Sequence, residues 1–475
     1  MKKKTKIVAT ISDRNCSVEL LTELYEAGMN VVRINSAHST FEGATAIVEN
    51  VRKVSDKIAI LVDTKGPEIR STLMEDGGFR VEIGETVIVK GTDKKDTPSS
   101  RECLWINDVN FAKEVPVGSS ILIDDGEIEL VVTAAEGDAL VTEVRNGGVI
   151  KGKKSVNVPG VHIDLPSLTK QDVDYIHWAV HYNLDFIAHS FVRNKHDLIA
   201  IQNILDECDS SIKIVAKIEN QEGVDNIDEI LDYAYGVMVA RGDLGVELPA
   251  EQIPITQRQL VKKCIESKKP VIIATQMLHS MIDNPRPTRA EVSDVANAIY
   301  QRVDAIMLSG ETANGKYPVE AIKTMTTIAR RIEQEVQPII DINMVRINNE
   351  ITAQLSRSAV RASINLPIKA IIIDSLSGRT ARYLSAFRGL KPVYAMCYRK
   401  HVMRELALSY GIEAQYGEPT LIHEKYTYKM LTNLERDGKL SNNDLICIIG
   451  GTFGPENGAS YLEVGKVIHV INKTI

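Results

Sequence analysis

The sequence predicts an α/β protein with a (β/α)₈ TIM barrel, an inserted all-β lid domain and a C-terminal α/β domain. Eight short apolar runs, each followed by a helical pattern, predict the barrel. Between the third and fourth runs this rhythm gives way to alternating β-type segments separated by glycine turns. Further strand and helix patterns follow residue 340. A doubly wound open sheet is the alternative for the first unit, but eight units of even length favour closure.

Continuous apolar runs are typical of parallel strands buried on both faces, with helices as crossovers. The runs are KIVATIS (6–12), NVVRIN (30–35), IAILVDTKG (58–66), DFIAHSF (185–191), IKIVAKIEN (212–220), YGVMVARGD (235–243), PVIIATQ (270–276) and DAIMLSGET (304–312). They assign residues 1–66 and 165–340 to the catalytic barrel domain.

Residues 67–164 are expected to form an inserted β-barrel lid domain. Turn pairs such as Gly77-Gly78 separate segments of alternating hydrophobicity, the pattern of hairpins. The insertion follows the third strand, on the face where barrel enzymes carry their sites, so it is placed to close over a substrate. A separate α/β domain is expected over residues 341–475, where the strand patterns are KAIIID, KPVYAMCY and DLICIIGG. This domain is also the expected place for an effector to bind.

The composition is ordinary for a globular protein and argues against several partners. Of 475 residues, 44% are hydrophobic and 25% charged, and the net charge is −7, so neither nucleic acid nor a membrane surface is expected as a partner. No apolar run approaches the roughly 18 residues of a membrane span. The six cysteines are scattered without a CxxC pair, which is typical of reduced thiols and predicts a cytoplasmic protein.

Polar residues stand at the ends of most predicted barrel strands, where catalytic residues of such barrels lie. Any one pair also fits a barrel-end salt bridge or a helix cap, but together they converge on one mouth. They are Arg33, Asn35, Asp63, Lys65, Lys217, Glu219, Arg241, Asp243, Thr275, Ser309 and Glu311.

The types of residue at these ends indicate metal-assisted chemistry on a small phosphorylated acid. Glu219 and Asp243 supply two carboxylates, which suits Mg²⁺ or Mn²⁺ with room for substrate oxygens. Lys217 and Arg33 supply fixed positive charge, the usual stabiliser of a phosphoryl group in transfer. The hydroxyls available for a proton relay are those of Thr275 and Ser309.

Long segments, in a fixed order, match one known family. They include DTKGPEIR (63–70), IKIVAKIENQEGV (212–224), VMVARGDLGVE (237–247), IIATQMLHSMIDNPRPTRAEVSDVANAI (272–299) and DAIMLSGETANGKYPVEAI (304–322). The chain therefore resembles the pyruvate kinases along nearly its whole length. The resemblance implies the same three-domain division, a homotetramer, and transfer of the phosphoryl group of phosphoenolpyruvate to ADP, giving pyruvate and ATP in the last step of glycolysis.

The resemblance also implies roles for individual residues. Glu219 and Asp243 match the ligands of the divalent ion, and Lys217 and Arg33 match the groups on the transferred phosphoryl. Thr275 matches a contact to the substrate carboxylate, shared with the backbone of Gly242 and Asp243, and lies with Ser309 on the path that protonates the enolate. The positions near the nucleotide phosphates are those of His38, Arg70 and Lys154. TISDRN, where the family usually reads TIGPAS, leaves the adenine side unassigned.

One departure concerns the monovalent ion of the family. Where members commonly read Arg-x-Asn-Phe-Ser-His, this chain reads RINSAHS, so Ala37 replaces a serine that helps bind K⁺. Glu68 matches the glutamate typical of K⁺-dependent members. We expect K⁺ to be used still, with Ser36 or water filling in. The remaining ligands are Asn35, Asp63 and the Thr64 carbonyl.

Two glycine-containing loops of the C-terminal region have weaker signals. SLSGRT (375–380) has hydroxyls and backbone N–H groups that suit a phosphate, but it also fits an ordinary capped helix. By resemblance it matches an effector site for a sugar phosphate or nucleotide, formed by Ser375, Ser377, Gly378, Arg379 and Thr380. GGTFGPEN (450–457) fits a ligand loop or a plain connection.

Two other functions remain as alternatives. A barrel lyase or aldolase acting on pyruvate or phosphoenolpyruvate would use the same carboxylates, but it would generally need neither added domain nor Lys217. A catalytically silent regulator would be expected to have lost charged residues at the strand ends, and only the Ala37 position has changed.

Overall fold

The computed structural model describes residues 3–94, 96–339, 341–418, 423–451 and 458–474. Eight parallel strands close into a barrel, as the apolar runs predict. In chain order they are Lys6–Thr10, Val31–Asn35, Ala59–Asp63, Phe186–His189, Lys213–Ile218, Gly236–Ala240, Val271–Ala274 and Ala305–Leu308. The eighth strand pairs with the first in register from Lys6 with Ala305 to Ala9 with Leu308, so the sheet has no open edge.

Helices surround the barrel between successive strands. They are Val18–Ala27, Phe41–Val54, Lys170–His181, Lys195–Glu207, Gln221–Asp225, Ile227–Tyr233, Arg241–Glu247, Ile253–Glu266, Arg289–Tyr300, Gly310–Ala313 and Pro318–Glu335, with 3₁₀ turns at Asp13–Asn15 and His279–Ile282. Local sequence sets several starts: Thr169 and Thr288 form capping boxes with Asp172 and Glu291, which satisfy backbone N–H groups of the first turn. No helix in the described ranges is long and apolar enough to span a membrane.

The inserted segment forms two sheets after the third barrel strand. Its strands are Phe79–Val81, Thr86–Gly91, Leu104–Ile106, Ser120–Ile123, Ile128–Glu136, Ala139–Asn146, Gly148–Ile150 and Val156–Asn157, with a short helix at Phe111–Glu114. Six of them make one sheet and two make another. At the tight turn before Ile128, Asp124 and Asp125 have φ of 55° and 56°, left-handed values that aspartate tolerates better than most residues.

The C-terminal region is a five-stranded sheet with helices. The strands are Ile368–Ser375, Val393–Cys397, Ile412–Tyr416, Leu445–Gly450 and Tyr461–Lys466; the helices are Glu350–Asn365, Arg379–Ala386, Lys400–Glu405, His423–Arg436 and Val467–Thr474, with a 3₁₀ turn at Leu406–Leu408. The first four strands are parallel and the last is antiparallel. The domain limits at residues 66, 164 and 340 stay a prediction.

A buried ion pair joins the barrel to the C-terminal region. The Asp304 carboxylate, just before the eighth barrel strand, accepts from Arg388 Nη1 at 2.9 Å and Nη2 at 2.5 Å. The same carboxylate also accepts from the backbone N–H of Tyr410 at 2.9 Å and of Val271 at 3.2 Å. Both charged side chains are almost completely buried, so each depends on the other for charge compensation.

We expect Asp304→Asn to destabilise the protein by about 3–5 kcal/mol, because it leaves the Arg388 guanidinium buried without its counter-charge. The midpoint of denaturant-induced unfolding measures the effect. Asp56→Asn is the matched control, since Asp56 also pairs across the domains, with Lys400 at 2.7 Å, but at half-exposed positions. Its cost should stay below about 1 kcal/mol. Equal midpoint shifts in the two variants would contradict the assignment.

Candidate active site

A cluster of buried charges lies at the carboxyl end of the barrel. Arg33 donates from Nε to Asp63 Oδ2 at 2.9 Å and from Nη1 to Thr10 Oγ1 at 3.0 Å. Lys217 Nζ lies 3.5 Å from Asp63 Oδ2 and 2.9 Å from Glu219 Oε1. The second, third and fifth strands, which are far apart in sequence, thus bring four side chains into one contact network.

Lys217 and Glu219 are two residues apart on one strand and point to the same face, as strand geometry requires. Their 2.9 Å contact makes them an ion pair, yet each has other partners. Lys217 Nζ donates to Ser190 Oγ at 2.7 Å, and Glu219 Oε2 accepts the Phe191 N–H at 2.7 Å. The pair is therefore part of a network rather than an isolated salt bridge.

Burial and neighbouring charges shift the titration of the cluster. Burial raises the pKa of Glu219 and Asp243 raises it further, while the Lys217 ammonium opposes the shift. Burial would also raise the pKa of Asp63, but the Arg33 and Lys217 cations hold it below its usual range. With Asp243, three carboxylates face two cations. The mouth therefore has an excess negative charge that a bound cation would compensate.

The fourth strand supplies residues that strand-end reasoning did not single out. Ser190, which accepts from Lys217, donates to the Thr64 carbonyl at 2.7 Å. Thr64 Oγ1 lies 3.1 Å from His189 Nδ1, and burial lowers the pKa of His189 to about 4, so its ring is neutral at pH 7. The polar ending of DFIAHSF was the available signal for Ser190 and Phe191.

The sixth and seventh strands meet at Thr275. The Gly242 N–H, at the start of the helix Arg241–Glu247, donates to Thr275 Oγ1 at 2.8 Å. Thr275 has φ of 68°, a strained value for a β-branched residue that is typical of functional sites. Arg241 donates to the Thr275 carbonyl at 2.8 Å and pairs with Asp294 at 2.7 Å. Arg241 therefore braces this turn rather than facing the cluster.

The residues predicted at the end of the eighth strand, Ser309 and Glu311, are hydrogen-bonded to each other rather than to Thr275 in the described part of the chain. Glu311 accepts the Ser309 N–H at 2.8 Å and the Leu278 N–H at 3.1 Å, so its carboxylate supports the loop. No hydrogen bond joins Ser309 to Thr275 among the residues that the structure describes. Lys65 is exposed, and its backbone N–H donates to Asp172 at 2.7 Å.

Two protein-family models match this chain, one over the barrel region and one over the C-terminal region. The family model described as pyruvate kinase, barrel domain, matches residues 2–322, and the one described as pyruvate kinase, alpha/beta domain, matches residues 353–464.

The chain belongs to the pyruvate kinase family.

Relatives match along nearly the whole chain. The pyruvate kinase of Borreliella burgdorferi is 45% identical over 470 residues, covering 98% of both chains. That of Bacillus licheniformis is 44% identical, covering 99% of this chain and 82% of its own. A solved pyruvate kinase from Cryptosporidium parvum superposes with a TM-score of 0.92 at 33% identity, covering 98% of this chain and 96% of its own.

Pyruvate kinases transfer the phosphoryl group of phosphoenolpyruvate to ADP, and as a member of the family this chain is a glycolytic phosphotransferase. The family needs a divalent metal and usually K⁺. In the described ranges no three His, Cys, Asp or Glu side chains gather as a protein-only metal site. Glu219 and Asp243 still fit a divalent ion that keeps positions for substrate.

The residues matched to the nucleotide phosphates are Arg70, Lys154 and His38. Arg70 pairs with Glu68 at 2.7 Å and Lys154 with Asp124 at 2.8 Å, and an antiparallel bridge from Arg70 to Ser155 makes them neighbours. His38 is exposed. The structure brings none of these three into contact with the buried charges of the described mouth.

Two buried oxygens at the predicted K⁺ position have no hydrogen-bond partner in the described chain. They are Ser36 Oγ and Asp63 Oδ1. Asn35 and Asp63 are direct partners on neighbouring strands, and the Ser36 N–H lies 3.4 Å from the Asp63 carbonyl. Unpartnered buried oxygens are costly. Ala37 itself is exposed.

The SLSGRT loop encloses a small cavity of about 30 Å³ in the C-terminal region. Ser375 Oγ accepts the Gly378 N–H at 2.9 Å, and Gly378 takes φ of 74°, which only glycine adopts easily. Ser377, Arg379 and Thr380 line the cavity together with Gly450 and Gly451. The rest of GGTFGPEN, residues 452–457, lies outside the described residues.

Proposed function

We propose that the buried cluster at the barrel mouth transfers the phosphoryl group from phosphoenolpyruvate to ADP, with Lys217 as its central group. The observation that carries the proposal is the position of the Lys217 ammonium, held by Glu219, Asp63 and Ser190 together. A cation fixed in a dry site stabilises charge that develops on a phosphoryl group, without the cost of reorienting water.

Arg33 and Lys217 stay charged throughout the reaction. Burial alone would lower their pKa values, but Asp63 and Glu219 raise both. The guanidinium of Arg33, oriented by Asp63 and Thr10, holds the same phosphate from a second side. Lys217 and Arg33 thereby fix the phosphoryl group for in-line attack by ADP.

Glu219 and Asp243 would hold the divalent ion, Mg²⁺ or Mn²⁺. When bound, that ion supplies positive charge on the substrate oxygens. Burial and the raised pKa of Glu219 indicate a carboxylate that lacks full compensation from Lys217 alone. Asp243, at the start of a helix, adds the second carboxylate.

Thr275 and Gly242 form the side of the site assigned to the substrate carboxylate. The backbone N–H groups of Gly242 and Asp243 open a helix, where anions are favoured. Thr275, with its hydroxyl against Gly242, takes the carboxylate contact. Thr275 and Ser309 are assigned to the path that protonates the enolate.

The nucleotide phosphates are assigned to Arg70 and Lys154 of the inserted domain and to His38 after the second strand. An isolated antiparallel bridge pairs Arg70 with Ser155, the residue that follows Lys154 in the chain. The remaining proposals, a homotetramer and a cytoplasmic location, rest on the family resemblance and the scattered cysteines.

K⁺ is assigned to Asn35, Asp63 and the Thr64 carbonyl, with Ser36 in place of the hydroxyl that Ala37 lacks. The unpartnered Ser36 Oγ and Asp63 Oδ1 support this assignment, because a cation would satisfy both.

A sugar phosphate or nucleotide effector is assigned to the SLSGRT loop. Its hydroxyls and backbone N–H groups suit a phosphate. Ser375 orders the turn by accepting the Gly378 N–H, and Ser377, Arg379 and Thr380 of the loop line the cavity.

We expect Lys217→Met to lower kcat for pyruvate formation from phosphoenolpyruvate and ADP by about 10²–10³-fold, the loss typical of removing one fixed charge-stabilising group. A coupled assay measures it. Lys213→Met is the matched control, because Lys213 lies at the opposite end of the same strand, 3.8 Å from Glu405, and should leave kcat unchanged. Wild-type turnover by the Lys217 variant would remove this residue from its role.

For K⁺, we expect Ser36→Ala to raise the half-saturating K⁺ concentration about tenfold, a loss within the range for groups that support a metal. Ala37→Ser should lower that concentration by restoring a hydroxyl. Activity is titrated with K⁺ in Na⁺-free buffer. Equal activity with and without K⁺ in the unaltered protein would refute the site.

For the effector loop, we expect Ser377→Ala with Thr380→Ala to abolish activation by a sugar phosphate, since both hydroxyls line the cavity. Rates are measured against effector at subsaturating phosphoenolpyruvate. Ser358→Ala with Thr327→Ala removes the same two functional groups from surface helices as a control. Activation curves that match the unaltered protein would refute the assignment.

A further inference from the structure

A second, larger cavity lies between the barrel and the C-terminal region, away from the mouth and mostly separate from the SLSGRT cavity. Its volume is about 390 Å³, within the range of small-molecule sites, roughly 300–1,000 Å³. Five cationic side chains line it, and we call it the interdomain crevice. They are Lys268, Lys269, Arg346, Arg379 and Arg382.

The charges lining the interdomain crevice are not balanced. Asp232 is its only acidic residue among the described lining, and it pairs with Arg346 at 2.5 Å. The other four cations have no carboxylate within ion-pair distance in the described chain. The Arg379 side chain has neither an ion pair nor a hydrogen bond with any described residue. Buried or half-buried cations of this kind are costly unless something of opposite charge joins them.

Lys269 shows the effect of this imbalance. Its ammonium donates to the Ala234 carbonyl at 2.5 Å, and that neutral partner gives no charge compensation. Burial and the neighbouring cations of Arg382, Arg346 and Lys268 together lower the pKa of Lys269 to about 8, and the Asp232 carboxylate offsets only part of this shift. An anion bound in the crevice would therefore stabilise the charged form of Lys269.

The remaining contacts hold the cations in place. Lys268 donates to the Arg346 carbonyl at 2.5 Å and lies 4.5 Å from the centre of the Tyr383 ring. Arg382 donates to the Ser377 carbonyl at 3.1 Å and lies 5.6 Å from the Tyr235 ring. Lys268 and Arg346 both have a φ of 59°, a left-handed backbone conformation that is uncommon for residues other than glycine. These side chains are positioned before any ligand arrives, which lowers the entropic cost of binding.

We propose that the interdomain crevice binds a phosphate monoester. Two guanidinium groups without carboxylate partners, Arg379 and Arg382, match the oxygens of a phosphate, and the two ammonium groups supply the further charge that a dianion compensates. The volume exceeds that of a free phosphate ion and accommodates an attached organic group.

Such a ligand would connect the two regions that form the interdomain crevice. Lys268 and Lys269 lie just before the strand Val271–Ala274, and Thr275 of the active site follows that strand. Arg379 also lines the SLSGRT cavity. A ligand in the crevice would therefore contact residues next to both the strand that leads to Thr275 and the proposed effector loop.

The test measures phosphate binding by the full chain with the phosphoryl, effector and nucleotide-phosphate sites removed. The background is Lys217→Met with Ser377→Ala, Thr380→Ala, Arg70→Met and Lys154→Met, and calorimetry uses inorganic phosphate and glycerol phosphate as probes. We expect one remaining site on this background, with glycerol phosphate at least as tight as phosphate. Adding Lys269→Met and Arg382→Met should weaken binding at least tenfold. The absence of any site on the background would overturn the proposal.

Charge-matched and variant-free measurements complete the test. Lys262→Met with Lys263→Met removes two charges from the neighbouring helix outside the crevice and should leave binding within twofold. Equal weakening by both pairs of substitutions would mean a general charge effect and reject the site.

Selenate soaked into crystals of the unaltered protein should give an anomalous peak between Lys269 and Arg382. Peaks elsewhere with none in the crevice would also reject it, whether or not the variants fold.

Discussion

The alignment of eight parallel strands, with their carboxyl ends at one mouth, is the constraint on which the rest of the structure depends. Closure through the pairing of the first and eighth strands fixes that alignment. Arg33, Asp63 and Lys217 come from three different strands, yet they share contacts of 2.9–3.5 Å. The inserted region enters after the third strand, so its charged residues approach from the same side.

Burying so many charges at this mouth is unfavourable for stability. A network of two cations and three carboxylates is only partly compensated, and replacing such networks with apolar residues is often neutral or stabilising. Their position in a dry, rigid barrel makes their interaction with a phosphoryl group and its cation stronger than it would be in water. The strained backbone of Thr275 at the same mouth fits this exchange of stability for function.

Charge also organises the opposite end of the barrel, with two different outcomes. Asp304 and Arg388 compensate each other across the domain interface, so this contact is complete within the protein. In the adjoining interdomain crevice the cations outnumber the carboxylates, so that contact is complete only with an anion. The interface between the barrel and the C-terminal region thus contains an ion pair that is complete within the protein and a group of cations that requires a bound anion. Both lie near the strand that leads to Thr275.

The sequence by itself determined the barrel, the inserted β region and the C-terminal α/β region, because apolar periodicity and turn residues are local properties. It also placed Lys217 and Glu219 on one face, since strand side chains alternate with period 2. Only the tertiary structure decided that Ser190 and Phe191 support them, that Arg241 and Glu311 serve as braces, and that Lys269 and Arg382 line one cavity. Those contacts join residues distant in the chain, and their partners depend on barrel closure and domain packing, which no local pattern encodes.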